Sequence, residues 1–172
     1  MKKLIIGVCL LSCAFGAQLA SANPQPDAWI LEDIAQYRGK TWHYQTLMGL
    51  ALTPASRGAA KDPSRIYKLW VRDLWRDRAV QAKRRFASGP AHKQQWLCIH
   101  SYEGSWRDRG APYYGGLQMD LGFQQRYGGW LLRRKGTADH WTPLEQIWTA
   151  EKAANSRGFY PWPNTARVCG LI

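Results

Sequence analysis

The sequence predicts an α+β protein, predominantly helical, in which a basic helical extension precedes a small second domain. Three observations lead there. Apolar residues recur at helical spacing, with Ile66, Trp70 and Leu74 on one stripe and Tyr67, Val71, Trp75 and Ala79 beside it. The stretch Thr142-Pro143-Leu144-Glu145 combines an N-cap, proline at the first helical position and a capping-box glutamate ahead of Ile147 and Trp148. Between them lies the aromatic-rich, glycine-rich run Tyr113-Tyr114-Gly115-Gly116-Leu117-Gln118, which follows the carboxylate Glu103.

Taken in order, residues 1–22 read as a secretory signal peptide. Lys2-Lys3 precede an apolar run from Leu4 to Ala17, and Ala20-Ser21-Ala22 supplies small residues for cleavage after Ala22. Leu10-Leu11-Ser12-Cys13 loosely resembles a lipoprotein box, so anchoring through Cys13 is a minor alternative to a secreted, wall-associated protein. Residues 23–90 form the extension. It opens with a short flexible start to Pro26. One or two helices then carry Trp29, Ile30, Ile34, Trp42, Leu47, Met48 and Leu50, and Gly39 is expected to interrupt them. Proline, glycine and small residues without apolar period mark a linker near 53–64. Ser64 then caps a helix reaching about Phe86, whose polar face carries Arg72, Arg76, Arg78, Lys83, Arg84 and Arg85. Gly89-Pro90 closes this part.

Residues 91–172 are the second domain. A helix over 91–102, with Trp96, Ile99 and Glu103 three and four residues apart, is expected to end at Gly104, which leaves Glu103 at its C-terminus. Asp120 reads as the cap of a helix starting near Leu121, and Glu145 as the cap of the last helix. Glu151 shares a face with Leu144 and Ile147 and reads as a structural anchor. Gly158 closes that helix, and Pro161-Trp162-Pro163 begins a rigid tail ending at Cys169.

The chain carries a formal net charge of +12; loss of Lys2 and Lys3 with the signal leaves +10. An anionic partner is expected, and for an exported protein that means cell-wall polymers or membrane surfaces. Nucleic acid is not expected, since no base-reading spacing accompanies the charge. Export also leaves two cysteines, Cys98 and Cys169, which are expected to pair and to close a loop of about 70 residues, worth about 4 kcal/mol. His92, His100 and His140 stand at no ligand spacing, so no metal or cofactor is expected.

The chemistry centres on Glu103. Cleaving a glycosidic bond requires a carboxyl that can protonate the bridging oxygen. A helix C-terminus flanked by Tyr102 and Trp106 disfavours the ionised form, which suits a general acid.

Here the residues resemble a known family. Cys98 through Glu103-Gly104-Ser105-Trp106, then Tyr113 to Met119, is similar to the core of the resuscitation-promoting-factor and transglycosylase-like domains of actinobacteria. Thr142 to Ile147, Ala150-Glu151, Trp162-Pro163 and Cys169 echo that family's closing helix, Trp-Pro pair and terminal cysteine. The resemblance covers about residues 96–172. It implies a small lysozyme-like fold that cleaves peptidoglycan between N-acetylmuramic acid and N-acetylglucosamine, with Glu103 as catalytic acid and Gln118 contacting substrate. Two departures stand out. Glu103-Gly104-Ser105-Trp106 replaces the family's Glu-Ser-Gly-Gly-Asn-Trp, and the loop from Arg107 to Pro112 lacks its Asn-Thr-Gly-Asn-Gly.

A two-carboxylate glycosidase needs a partner for Glu103, and Asp108, Asp120 and Asp139 are the nearest in sequence. A lytic transglycosylase needs none, because the muramic acid's own 6-hydroxyl captures the anomeric carbon. Gly115 and Gly116 would allow close approach to sugar, and Tyr113, Tyr114 and Trp106 would fence or stack on the rings. The expectation is therefore a monomeric lytic transglycosylase acting on peptidoglycan strands, with a hydrolytic muramidase or a non-catalytic wall-binding module as alternatives and a nucleic-acid binder, which the +10 charge permits, as a less favoured one.

Overall fold

A computed structural model describes residues 27–172. The expected signal peptide, the Cys13 anchor and the flexible start therefore lie outside the described residues. Six α-helices and one small sheet follow: α1 (Ala28–Met48), α2 (Arg65–Ser88), α3 (Lys93–Glu103), β1 (Tyr113–Tyr114), β2 (Met119–Asp120), α4 (Leu121–Lys135), α5 (Pro143–Arg157) and α6 (Pro163–Val168). Short 3-10 turns occupy Arg57–Ala60 and Ala138–His140. The predominantly helical α+β class holds.

Gly39 does not interrupt α1, which runs unbroken for 21 residues. A helical glycine costs about 1 kcal/mol, and burial of Ile30, Ile34, Thr41, Leu47 and Met48 outweighs it. The helix stops instead at Gly49, whose φ of 70° is left-handed. There the Leu50 N–H reaches the Gln45 carbonyl at 2.9 Å and the Gly49 N–H that of Thr46 at 3.1 Å, a Schellman closure. α1 and α2 then pack as a hairpin around Ile30, Ile34, Val71 and Trp75.

The expected linker is pinned to that hairpin. The Trp42 indole donates to the Thr53 carbonyl (2.8 Å), Gln45 exchanges two hydrogen bonds with Thr53, and the Trp75 indole donates to the Ser56 hydroxyl (3.1 Å). Ala59 of the 3-10 turn is buried in the same cluster.

Ser64 caps α2 as expected, accepting the Tyr67 N–H at 3.2 Å, and the helix runs two residues past Phe86. Its apolar arc is wider than one partner helix covers. α1 takes the side with Val71, Trp75, Ala79 and Ala82, which leaves Ile66 81 % and Trp70 59 % exposed. Asp27, just ahead of α1, ties the hairpin by ion pairs to Arg65 (2.8 Å) and Lys68 (2.9 Å). The Lys68 hydrogen bond, working against some desolvation, holds the Asp27 carboxyl below the usual carboxylate range.

A second core lies below the hairpin, built on Trp96, Ile99, Leu117, Met119, Leu131, Trp141, Ile147 and Trp162. It crosses the Gly89-Pro90 break: Leu47 belongs to it, Tyr44 and Phe86 pack against it, and the Trp148 indole donates to the Phe86 carbonyl at 3.0 Å. The extension is thus seated on the second half at its base.

The helix that starts at Pro143 forms as read. Thr142 accepts the Glu145 N–H, Glu145 reaches back to the Thr142 N–H, and Gly158 ends α5. The tail after Trp162 differs: with Pro163 at its first position it forms the short helix α6. Cys169, just beyond α6, is bonded to Cys98 of α3. Among the described residues no helix is long and apolar enough to cross a membrane.

Candidate active site

Glu103 is the last residue of α3, where Gly104 takes over with φ 145° and donates to the His100 carbonyl. Its half-buried carboxyl opens into a cleft of about 280 Å³ walled by Tyr113, Gln118, Pro161, Trp162, Pro163 and Asn164. Thr165 of α6 donates to Glu103 Oε1 at 2.7 Å. One carboxylate oxygen is therefore fixed, and the other, Oε2, has no hydrogen-bond partner among the described residues. Neither Tyr102 nor Trp106 supplies a wall beside it, contrary to expectation. Tyr102 is 60 % exposed, and Trp106 stacks on His100 with ring centroids 3.7 Å apart.

The opposite wall comes from the tight connection between β1 and β2. Tyr113 pairs with Asp120 and Tyr114 with Met119, and the Gln118 N–H closes the turn on the Gly115 carbonyl at 3.1 Å. Gln118 sits at φ 47°, a left-handed conformation uncommon for a residue with a Cβ. What holds it there is Asp108: the Gln118 side-chain amide donates to Asp108 Oδ2 at 2.7 Å and to the Gly115 carbonyl at 3.0 Å. Asp108 Oδ1 in turn accepts the Gly110 N–H at 3.0 Å. Any Cβ on Gly104 would stand 3.5 Å from both the Asp108 carboxylate and the Gln118 amide, so this pair lies beside Gly104, the residue that follows Glu103.

Of the residues singled out from sequence, the cleft gathers Glu103, Gln118 and Tyr113. Gly116, Tyr114 and Trp106 lie behind it, in the packing. A Cβ on Gly116 would come within 2.6 Å of the His100 ring and 2.7 Å of Trp106, and one on Gly115 within 2.5 Å of Gln146. These glycines admit neighbouring side chains of the protein itself.

The three candidate aspartates are equally distinct. Asp120 caps α4 by accepting the Phe123 N–H at 2.7 Å. Asp139 is buried, accepts the Thr137 hydroxyl at 2.6 Å, and faces Arg109 and His140. Asp108 alone comes near Glu103, with both oxygens engaged. Glu151 anchors as read, accepting the Trp96 indole at 2.7 Å and facing His92 at 2.9 Å.

Two organising residues escaped the sequence reading. Thr165 lies 62 positions from Glu103 in a stretch read as tail. Gln146 is fully buried and serves four backbone groups: it accepts the Gly116 N–H and donates to the carbonyls of Trp106, Ala138 and Trp141. The Trp162 indole, donating to the Leu117 carbonyl at 2.7 Å, ties the two cleft walls together. A polar residue on the apolar face of an amphipathic helix, as Gln146 is, was the available signal.

Among the described residues no cluster of His, Cys, Asp and Glu is arranged to hold a metal ion. A scan against protein-family models found no match, and searches of curated proteins and of solved structures found none either.

Proposed function

We propose that this protein is an exported lytic transglycosylase of lysozyme-like fold, which cuts peptidoglycan between N-acetylmuramic acid and N-acetylglucosamine with Glu103 as its general acid and base. The observation that carries the reading is the half-anchored carboxyl: Thr165 fixes Oε1, Oε2 accepts no hydrogen bond from a described residue, and Glu103 lines an open cleft walled by an amide, a tyrosine and a tryptophan. Such walls suit a glycan, whose rings offer apolar faces to aromatics and whose acetamido groups hydrogen-bond to amides.

The protonated Glu103 gives its proton to the bridging oxygen as the muramyl C1–O bond breaks, and the glucosamine 4-hydroxyl leaves. The muramyl 6-oxygen then bonds to C1, and its proton passes to the Glu103 carboxylate. The acid is restored and a 1,6-anhydro ring closes the product. One acid suffices for this route. The state of Asp108 favours it over a two-carboxylate hydrolase, because both Asp108 oxygens already accept hydrogen bonds from Gln118 and Gly110. The disulfide fits an oxidising compartment, and the charge of +10 without residues 1–22 fits an anionic wall.

Mass spectrometry of the soluble fragments released from purified peptidoglycan tests the reading. The unmutated protein should release 1,6-anhydromuropeptides, and Glu103→Gln should release none. Reducing-end products would replace the reading by a muramidase. Equal binding to insoluble wall by both proteins with no release by either would make the protein a wall-binding module.

A further inference from the structure

The cleft does not end at Gln118. Tyr113, Gln118, Pro161 and Trp162 are shared with a neighbouring section of about 390 Å³ that extends along α4 to the end of α5. Its walls are Phe123, Tyr127, Arg126 and Arg157. The aromatic side is continuous, with the Phe123 ring 5.3 Å from Trp162 and 4.8 Å from Tyr127. Arg126 lies over the Tyr127 ring at 5.5 Å.

Neither Arg126 nor Arg157 is ion-paired with a carboxylate among the described residues. Asp120, the acidic group of this section, is occupied as the cap of α4. The Tyr127 hydroxyl is buried without a hydrogen bond of good geometry. Burial works to raise that phenol, yet the neighbouring Ser156 and Arg157 side chains, with the charges of Arg126 and Arg157, bring it below its ordinary value. The groove thus carries its acid at one end and, at the other, two arginines that no carboxylate among the described residues pairs.

We infer that Arg126 and Arg157 form an anion subsite which takes a carboxylate borne on the glycan strand and makes the protein prefer charged strands to uncharged ones of the same sugar backbone. The inference rests on the glycan reading of the Glu103 cleft. A guanidinium suits this task because it stays charged at any working pH and offers its donors in a plane that matches a carboxylate. Two sources have that chemistry: the lactyl carboxyl of a peptide-free muramic acid, and the free carboxyls of a peptide stem.

Titration calorimetry on the full-length Glu103→Gln protein, which binds without turnover in this scheme, separates the outcomes. Three soluble probes are compared: a peptide-free tetrasaccharide of alternating N-acetylglucosamine and N-acetylmuramic acid, the same tetrasaccharide with tetrapeptide stems, and tetra-N-acetylchitotetraose. At least one carboxylate-bearing probe should bind about tenfold more tightly than the uncharged one. That preference should disappear in Arg126→Gln/Arg157→Gln and survive in part in Arg126→Lys/Arg157→Lys, with unchanged circular dichroism in both. Preference for the peptide-free probe assigns the lactyl carboxyl, and preference for the stem-bearing probe alone assigns the stem. Equal binding of charged and uncharged probes, or a preference that persists in the glutamine variant, overturns the subsite and leaves the glycan reading standing. Failure of all three probes to bind overturns both.

Discussion

The α1–α2 hairpin and the α3–α6 half solve the same problem with different means. The hairpin joins helices of 21 and 24 residues along their length, and its cluster of Ile30, Ile34, Ala59, Val71 and Trp75 is almost wholly apolar. The second half has no helix longer than 15 residues. It holds turns and short elements together through buried side-chain hydrogen bonds from Gln124, Gln146 and Glu151 and through one disulfide. Long regular elements satisfy their own backbone, so along the shared face of the two helices side chains need only pack. Short ones leave carbonyls and N–H groups that specific side chains must meet. The candidate site belongs to the second kind, where individual groups can be fixed in position.

The largest break in the comparison is Trp75→Ala. Trp75 is fully buried at the centre of the hairpin, and truncation should cost about 3–5 kcal/mol. Urea unfolding should show this loss. Fragment release measured well below the new midpoint should stay near its original rate, because no cleft residue belongs to the hairpin. An equal fall in release under those conditions would mean that the hairpin organises the cleft.

Removing the disulfide attacks the other half. Cys98→Ser/Cys169→Ser opens a loop of sequence separation 71 and should cost about 4 kcal/mol in the chain-entropy description. Here release should fall with stability, since α3 carries Glu103 and α6 carries Thr165. A destabilised variant with unaltered release would show that packing alone aligns the two helices.

A smaller effect sits at the seam between the halves. Lys152 of α5 lays its aliphatic stem over Gly49 at the end of α1, where an added Cβ would come within 2.7 Å of it. Burial lowers its pKa from 10.5 to about 8. For a base with a lowered folded pKa, the unfolded chain binds the extra proton between those two values, so stability should rise with pH from 8 toward 10.5. Below pH 8 the charged amine costs at most about 3 kcal/mol. Lys152→Met should therefore be more stable than the parent at pH 7, with the gap narrowing by pH 9.5 in parallel melts. A constant gap across that range would remove the titration as its cause.

The two halves were also unequally legible in the sequence. Caps and closures were readable because they depend on a few adjacent residues: Ser64, Asp120, the Thr142–Glu145 box and Gly158 all act as read. Helix faces were readable only in part. Ile66 and Trp70 lie on an apolar stripe, yet which side α1 covers is a tertiary choice that periodicity does not contain. Gly39 misled because local propensity is a term of about 1 kcal/mol against the burial of a long face.

In the cleft, Glu103 could be picked out by its residue type and place at a helix end. Its partner Thr165 could not, since a hydrogen bond across 62 positions leaves no local trace. Trp106 and the glycine pair read as sugar-facing, because aromatics beside glycines look alike whether they meet a ring of sugar or the His100 ring.

The bond between Cys98 and Cys169 has a topological consequence as well. Glu103, the β1–β2 turn, both arginines and Thr165 all lie within the ring it closes. A protease that cuts once anywhere inside that ring converts the chain into two pieces still joined by sulfur, with Glu103 and Thr165 on opposite pieces for any cut between them. Such a nicked molecule keeps every atom of the cleft tethered. Its tolerance of cleavage depends on redox state: under reducing conditions the same single cut would let the two halves of the site diffuse apart.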